Sequence, residues 1–322
     1  MRRIHFWGLV ASLGLIWGEC VAAGEQTYAE RLGWKATDRV VIFHCDDAGM
    51  SHASNVGAWE SIQKGVVTSV SIMMPCPWVP EFAAWLKQNP QVDAGLHLTM
   101  NAEWERYRWL PVAGKPAVPS LVDAQGCLWD NVAQVVEHAT PDDVEREIRA
   151  QIERAEQMGI PITHIDSHMG TLFAKREFFD RYMKVAIEKQ IPMLAVGGHL
   201  HYGRVENPDA VGLLKDIAKQ IWDAGLPVID DVHTASYDWG NVKKSKKFIE
   251  VLTTLQPGIT EIIVHCSKPD DSFPLITSSS EARHQDTLAL IDRKVRAAIE
   301  KEGIILTTWR ELKQRRDRAG RQ

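Results

Sequence analysis

Short apolar, β-branched runs recur near residues 39–46, 66–73, 92–99, 162–167, 192–196, 227–232, 259–265 and 304–308, separated mostly by stretches of helical periodicity. That alternation predicts seven or eight β/α units, and hence an α/β fold whose parallel sheet rolls into a (β/α) barrel, irregular in outline. The clearest helix is expected from Pro141 to Met158. Thr140 stands as its N-cap, Pro141 at the first helical position, Asp142 and Asp143 in the first turn, and Gly159 beyond the end. The basic run Lys243-Lys244-Ser245-Lys246-Lys247 reads as a solvated helix face. The longest stretch with neither periodicity runs from Asn101 to Asn131 and holds Trp104, Tyr107, Trp109 and Trp129 among prolines and glycines. It reads either as a lid over a cleft or as a satellite core that pins its own loop.

The first residues break the pattern. Met1-Arg2-Arg3 supplies a positive start, Ile4 to Gly18 an apolar stretch, and Val21-Ala22-Ala23 a small-residue cleavage site, so residues 1–23 read as an export signal cut after Ala23. The apolar run is shorter than the ~20 residues of a membrane span. Glu19 before Cys20 also argues against a lipidated cysteine. The expected product is a periplasmic or secreted chain with one catalytic domain over residues 24–322. The full sequence, 45% hydrophobic and 25% charged, has ample material for a core. Its net charge of −5 falls to −6 without Arg2, Arg3 and Glu19, so nothing in the charge points to nucleic acid and no nucleic-acid partner is expected. Cys45, Cys76, Cys127 and Cys266 would remain after processing; a Cys45–Cys266 bridge and free buried thiols are both open.

Candidate chemistry collects where apolar runs end. Val40-Val41-Ile42-Phe43-His44-Cys45 delivers Asp46 and Asp47 to a strand terminus, where barrels and open α/β sheets keep their sites. One of the pair could instead cap a helix starting near Ser51. Two further strand-like stretches carry His97 and, in His164-Ile165-Asp166-Ser167-His168, a second histidine set. One carboxylate and two imidazoles from three strand ends can form a facial set of metal ligands, and Asp47, His97 and His168 are the candidates. A Val/Ile-rich run ending in His265 supplies a fourth group. Asp46 suits a general base and His265 a general acid, although His265 could equally be a ligand or a buried structural residue.

The segments His44-Cys45-Asp46-Asp47-Ala48-Gly49, Gly95-Leu96-His97-Leu98-Thr99, His164-Ile165-Asp166-Ser167-His168 and Glu261-Ile262-Ile263-Val264-His265 resemble those of the YdjC-like carbohydrate deacetylases, in family order. The resemblance implies Asp46 as base, Asp47, His97 and His168 as ligands of one divalent ion, and His265 as acid. It also implies a homodimer and a positioning role for Arg283, followed by Asp286 in a late Arg-x-x-acid element. The family is described with magnesium, whereas the donor types also suit Zn2+. Ala48, Met169-Gly170 and Cys266-Ser267-Lys268-Pro269 depart from the family beside the site.

The implied reaction is hydrolysis of an acetamido group on an N-acetylated sugar, such as a chitooligosaccharide or a glycolipid. Arg283, Trp109 and His164 are the candidate substrate contacts. A metal-dependent phosphoester hydrolase and an inert periplasmic binder of sugar or metal are the competing classes.

Overall fold

In a computed structural model of the protein, which describes residues 25–202 and 211–320, the β-branched runs become seven strands: β1 (Arg39–Ala48), β2 (Ser69–Ile72), β3 (Asp93–Leu98), β4 (Ile165–Ser167), β5 (Asp231–His233), β6 (Gly258–Val264) and β7 (Ile305–Leu306). The expected export signal lies outside the described residues. All strand pairs are parallel, in the order β4-β3-β2-β1-β6-β5, with β7 set against the start of β1. The sheet curls strongly but is not the closed barrel that the alternation predicts. Between the edge strands β4 and β5 runs the segment 192–197, expected as a strand. It makes only isolated bridges, Met193 to Ile165 and Val196 to Ile229.

The cause of that gap is local. Pro192 has no N–H to give to a ladder. Gly197 and Gly198 are pressed against neighbours so closely that a Cβ on Gly197 would stand 2.1 Å from the Cβ of Ala218, and one on Gly198 2.3 Å from Asp230 Oδ1. A segment held that tightly follows the packing of its surroundings rather than the pleat of a strand.

Alternation along each strand builds the interior in levels, because residues two apart share a face. His164, Asp166 and His168 are stacked this way up one side, with His44 and Asp46 on β1 and Glu261 leading to His265 on β6; all but His265 are buried. Gly95 on β3 makes room at the lowest of these levels. A Cβ there would lie 2.4 Å from the His164 carbonyl oxygen and 2.5 Å from its Cε1. The floor is Trp309, fully buried and stacked on His164 at 5.7 Å between ring centroids. Asp93 fixes that floor by accepting from the backbone N–H of Trp309 (3.1 Å) and Arg310 (3.0 Å) at the start of the last helix.

The expected helix forms over Pro141–Gln157, with the Thr140 hydroxyl accepting from Asp143 N–H. Val144, Ile148, Ile152 and Ala155 bury its inner stripe. The Val and Ile side chains contribute roughly 1.5–3 kcal/mol each when fully buried. In the stretch 101–131 the aromatics mainly pin their own loop. Trp109 Nε1 donates to Asn101 O and Trp129 Nε1 to Ser120 O, both at 2.9 Å. The basic run is not wholly solvated, since Lys244 is buried with its Nζ 2.8 Å from the buried Asp286. Charge runs predict exposure only when no partner is folded against them, and Asp286 lies 42 residues away. The four cysteines of the described residues are free thiols. Among the described residues no helix is long and apolar enough to cross a membrane.

The helix Pro141–Gln157 is tied to Arg176–Lys189 by Glu145, which accepts from Arg149 and from Arg181 and Lys184 of the second helix. Burial would raise the Glu145 carboxyl, but Lys184, Arg149 and Arg181 outweigh it and hold the group down to about 2, against 4.5 when unfolded. A depressed carboxylate stabilises the fold above its unfolded value, so this contribution is present above pH 4.5 and fades as pH falls toward 2. Lys184 is half exposed, so screening keeps the effect small. Glu145→Gln is expected to lower stability at pH 7 by on the order of 1 kcal/mol or less. The deficit should shrink as urea unfolding is repeated down to pH 3; a pH-independent deficit would contradict the assignment.

Candidate metal centre and flanking catalytic groups

A regular strand would turn Asp46 and Asp47 to opposite faces. β1 avoids this by breaking its register with β2 between Cys45 and Ala48, and Asp47 takes a left-handed backbone with φ +66°. Such a conformation in a non-glycine residue costs about 1–3 kcal/mol and persists only where its surroundings hold it. Here Arg283 does so, with Nη1 donating to Asp47 Oδ2 at 2.5 Å in a fully buried ion pair. Both carboxylates therefore reach the same mouth of the sheet.

The other oxygen, Asp47 Oδ1, is buried and has no hydrogen-bond donor. It lies 3.4 Å from His97 Nε2 and 3.4 Å from His168 Nδ1. Each ring is aimed from behind by a carboxylate: His97 Nδ1 bonds Asp166 Oδ1 at 2.6 Å, and His168 Nε2 bonds Glu103 Oε2 at 3.0 Å. A carboxylate behind a histidine fixes its tautomer and turns the opposite nitrogen to the ion in metalloproteins. Ligand atoms about 2 Å from one tetrahedral ion stand roughly 3.3 Å apart, so the separations suit a shared cation.

Electrostatics agree with the geometry. Burial lowers the His168 imidazole, but Glu103 and Asp47 more than reverse that and push it up to about 10. Burial lowers and Asp46 and Asp166 raise His97, with a net rise. Burial raises the Asp47 carboxyl, yet Arg283 and His168 hold it well below the usual carboxylate range. Positive charge is thus favoured between these carboxylates. The residues fit one divalent ion.

Asp46 and His265 sit on the rim of this set. Asp46 Oδ1 accepts from Ser71 Oγ (3.3 Å) and faces His44 Nε2 (3.1 Å), while its Oδ2 lies 3.7 Å from His97 Nε2 and 3.8 Å from His265 Nε2. His44 is itself held by Asp166 Oδ2 at 2.9 Å, so it braces Asp46 from below. His265 is steadied through its backbone, whose N–H donates to Asp286 Oδ2 at 2.9 Å. Its ring packs on Tyr237 at 4.9 Å. Burial pushes the His265 imidazole down to about 4, so the ring is neutral near pH 7.

Asp46, Asp47, His97, His168, His265 and Arg283 line one cavity of about 580 Å³. Two of the expected substrate contacts do not. Trp109 is buried and packs edge-on behind His168, because its indole N–H is spent on Asn101. His164 lies two levels below His168, with Nδ1 2.9 Å from Thr163 Oγ1 and its face on Trp309. Arg283 lines the cavity but its guanidinium is committed to Asp47, and it lies near the rings of Tyr237 and Trp104. Glu103 and the supporting role of Asp166 were not anticipated. Asp166 could have been, since it shares a strand face with His168; Glu103 stands in an irregular segment where no periodicity marks it.

A profile of the YdjC-like protein family matches residues 40–301. The chain belongs to the YdjC-like family. A carbohydrate deacetylase of Thermoanaerobacter pseudethanolicus is 28% identical over 275 residues, covering 85% of this chain and 100% of that one. Another carbohydrate deacetylase, of Geobacillus stearothermophilus, is 28% identical over 279 residues, covering 85% and 98%. The crystal structure of a putative cellobiose-phosphate cleavage protein from Enterococcus faecalis shares the fold at a TM-score of 0.73 and 24% identity, covering 86% of this chain and 99% of that one.

For this YdjC-like chain, calorimetric titration of chelator-treated protein with Zn2+ should give one site per chain. Asp47→Asn and His168→Gln should each weaken it at least about tenfold, and Glu103→Gln by about 10–100-fold through its grip on His168. Unchanged affinity in these variants would place any bound ion elsewhere.

Proposed function

We propose that this protein hydrolyses the acetamido group of an N-acetylated sugar. The observation that carries the reading is the convergence of Asp47 Oδ1, His97 Nε2 and His168 Nδ1, with Asp46 and His265 beside them at the mouth of one cavity. Relatives covering most of this chain bear the name carbohydrate deacetylase, which supports the same substrate class.

Asp47, His97 and His168 would hold a divalent cation, which when bound supplies Lewis-acid polarisation of a water and of the amide carbonyl. Two imidazoles among three donors favour Zn2+ or a similar ion over Mg2+, which prefers oxygen. Asp46 Oδ2, its partner oxygen fixed by Ser71 and His44, takes the proton of the attacking water. The water oxygen bonds to the acyl carbon and the C–N bond breaks. His265 Nε2, 3.8 Å from Asp46 Oδ2, is placed to pass a proton to the departing nitrogen. Because His265 is neutral near pH 7, the proton it gives must reach it during turnover, and Asp46 is the neighbour that has just gained one. The products are acetate and the free amino sugar.

Phosphoester hydrolysis is less well served. Arg283 is the sole Lys or Arg among the described lining residues, and it already neutralises Asp47. A phosphate dianion would face the three carboxylates of Asp46, Asp47 and Glu103 with only that one guanidinium among the described lining residues.

Asp46→Asn should reduce acetate release by about 10²–10⁴-fold while the purified variant keeps one divalent ion per chain. Retained turnover would remove Asp46 from the base role. Wild-type protein that binds ion and sugar but releases no acetate would favour the inert-binder reading.

A further inference from the structure

Below the candidate metal centre lies a second group of polar side chains that the proposed chemistry does not use. His44 Nδ1, His164 Nε2, Trp309 Nε1 and both carboxyl oxygens of Glu261 are buried and without a hydrogen-bond partner. They share one place in the fold. The rings of His44 and His164 meet edge to face at 4.9 Å, His164 stacks on Trp309 at 5.7 Å, and Glu261 Oε1 lies 3.8 Å from His44 Nδ1. Register accounts for the meeting: Glu261 on β6 pairs with Ile42 on β1, one level below His44 on the same face. An unbonded buried polar atom is costly, so a cluster of them marks groups that serve one another.

His44 Nε2 faces three acceptors, Asp166 Oδ2 at 2.9 Å, Ser71 Oγ at 3.0 Å and Asp46 Oδ1 at 3.1 Å, and therefore carries a proton. Nδ1 is left with Glu261. An ionised carboxyl against a bare imidazole nitrogen would set lone pair against lone pair, so a proton belongs between them. Burial pushes the Glu261 carboxyl up to about 8; His44 opposes the rise, Asp166 and Asp46 add to it, and the Trp309 indole N–H opposes it. Burial lowers the His44 imidazole, but Glu261, Asp166 and Asp46 raise it well above its usual value. Both directions keep a proton in the pair near pH 7.

We infer that Glu261 is a positioning residue: it bonds His44 Nδ1 through one shared proton and so fixes the ring whose other nitrogen holds Asp46, the proposed base, and Asp166, the support of His97. The bond closes by a small rotation of the carboxyl or through one buried water. Its effect on turnover rests on the deacetylase reading above, whereas the bond itself does not. Glu261 acts only through His44. Glutamine at this position keeps both a donor and an acceptor toward Nδ1, while leucine keeps only the bulk, so the two substitutions separate hydrogen bonding from packing.

The test compares full-length, Zn2+-loaded wild type, Glu261→Gln and Glu261→Leu, by NMR of nitrogen-15-labelled histidine and by acetate release from N,N′-diacetylchitobiose. The wild-type His44 Nδ1 signal, assigned by its loss in His44→Gln, should be that of a protonated or hydrogen-bonded nitrogen. Glu261→Leu should move it to the position of a bare imidazole nitrogen, and Glu261→Gln should bring it most of the way back. Turnover should follow, with kcat about tenfold lower or more in Glu261→Leu, KM and metal stoichiometry little changed, and most of the loss recovered in Glu261→Gln. A wild-type Nδ1 that already resonates as a bare nitrogen overturns the inference without any variant having to fold. So does a Glu261→Leu enzyme as active as wild type, or a Glu261→Gln enzyme no better than Glu261→Leu. If the wild type releases no acetate, it is the deacetylase reading that fails, and the Nδ1 signal alone decides the pair: bonded in wild type upholds it, bare overturns it.

Discussion

The candidate site depends on the break in β1 that turns two consecutive aspartates to one side. A continuous strand would leave Asp46 or Asp47 outside the mouth, and no choice of histidines on the neighbouring strands could then complete the set. The left-handed backbone at Asp47 is unfavourable in itself. It is maintained by the buried pair with Arg283, whose removal would leave an uncompensated carboxylate in a low-dielectric pocket. Arg283 and the backbone break are therefore two parts of one device, linking the last third of the chain to the first strand.

Around that device the charges are arranged in alternating order. Carboxylates of Asp166 and Glu103 back the imidazoles of His97 and His168, which face Asp47, which in turn faces Arg283. Each buried charge has an opposite neighbour, so none bears the full cost of leaving water. One oxygen of Asp47 is left over, and it is the one between the two rings. Below, His44 joins Asp46 to Asp166, so the proposed base and the support of the candidate ligand His97 are parts of the same buried network.

Much of this was legible in the order of residues, because strand alternation is a strict geometric rule. Apolar runs ending in Asp46-Asp47, His97, His168 and His265 pointed to strand ends, and the strands fall there. What escaped was whatever depends on departures from the rule or on distant partners. The pattern predicts a strand at 192–196, but Pro192 and the tightly packed Gly197-Gly198 reduce it to bridges and leave the sheet open. Trp109 and His164 are of types that often bind substrate, yet orientation rather than type decides: the Trp109 indole N–H is bonded to Asn101, and the His164 ring lies against Trp309 below the mouth. Lys244 reads as a surface charge until Asp286 is folded against it. Glu103 lies in a segment whose position is set by packing, which no local pattern encodes.

In this arrangement one carboxylate oxygen and two imidazole nitrogens would share a cation. X-ray absorption at the zinc edge of Zn2+-loaded protein tests it most directly. Two imidazole nitrogens are expected at about 2.0–2.1 Å, with a carboxylate oxygen and solvent completing a low-coordinate shell. A shell made of sulfur, or of oxygen alone, would contradict it.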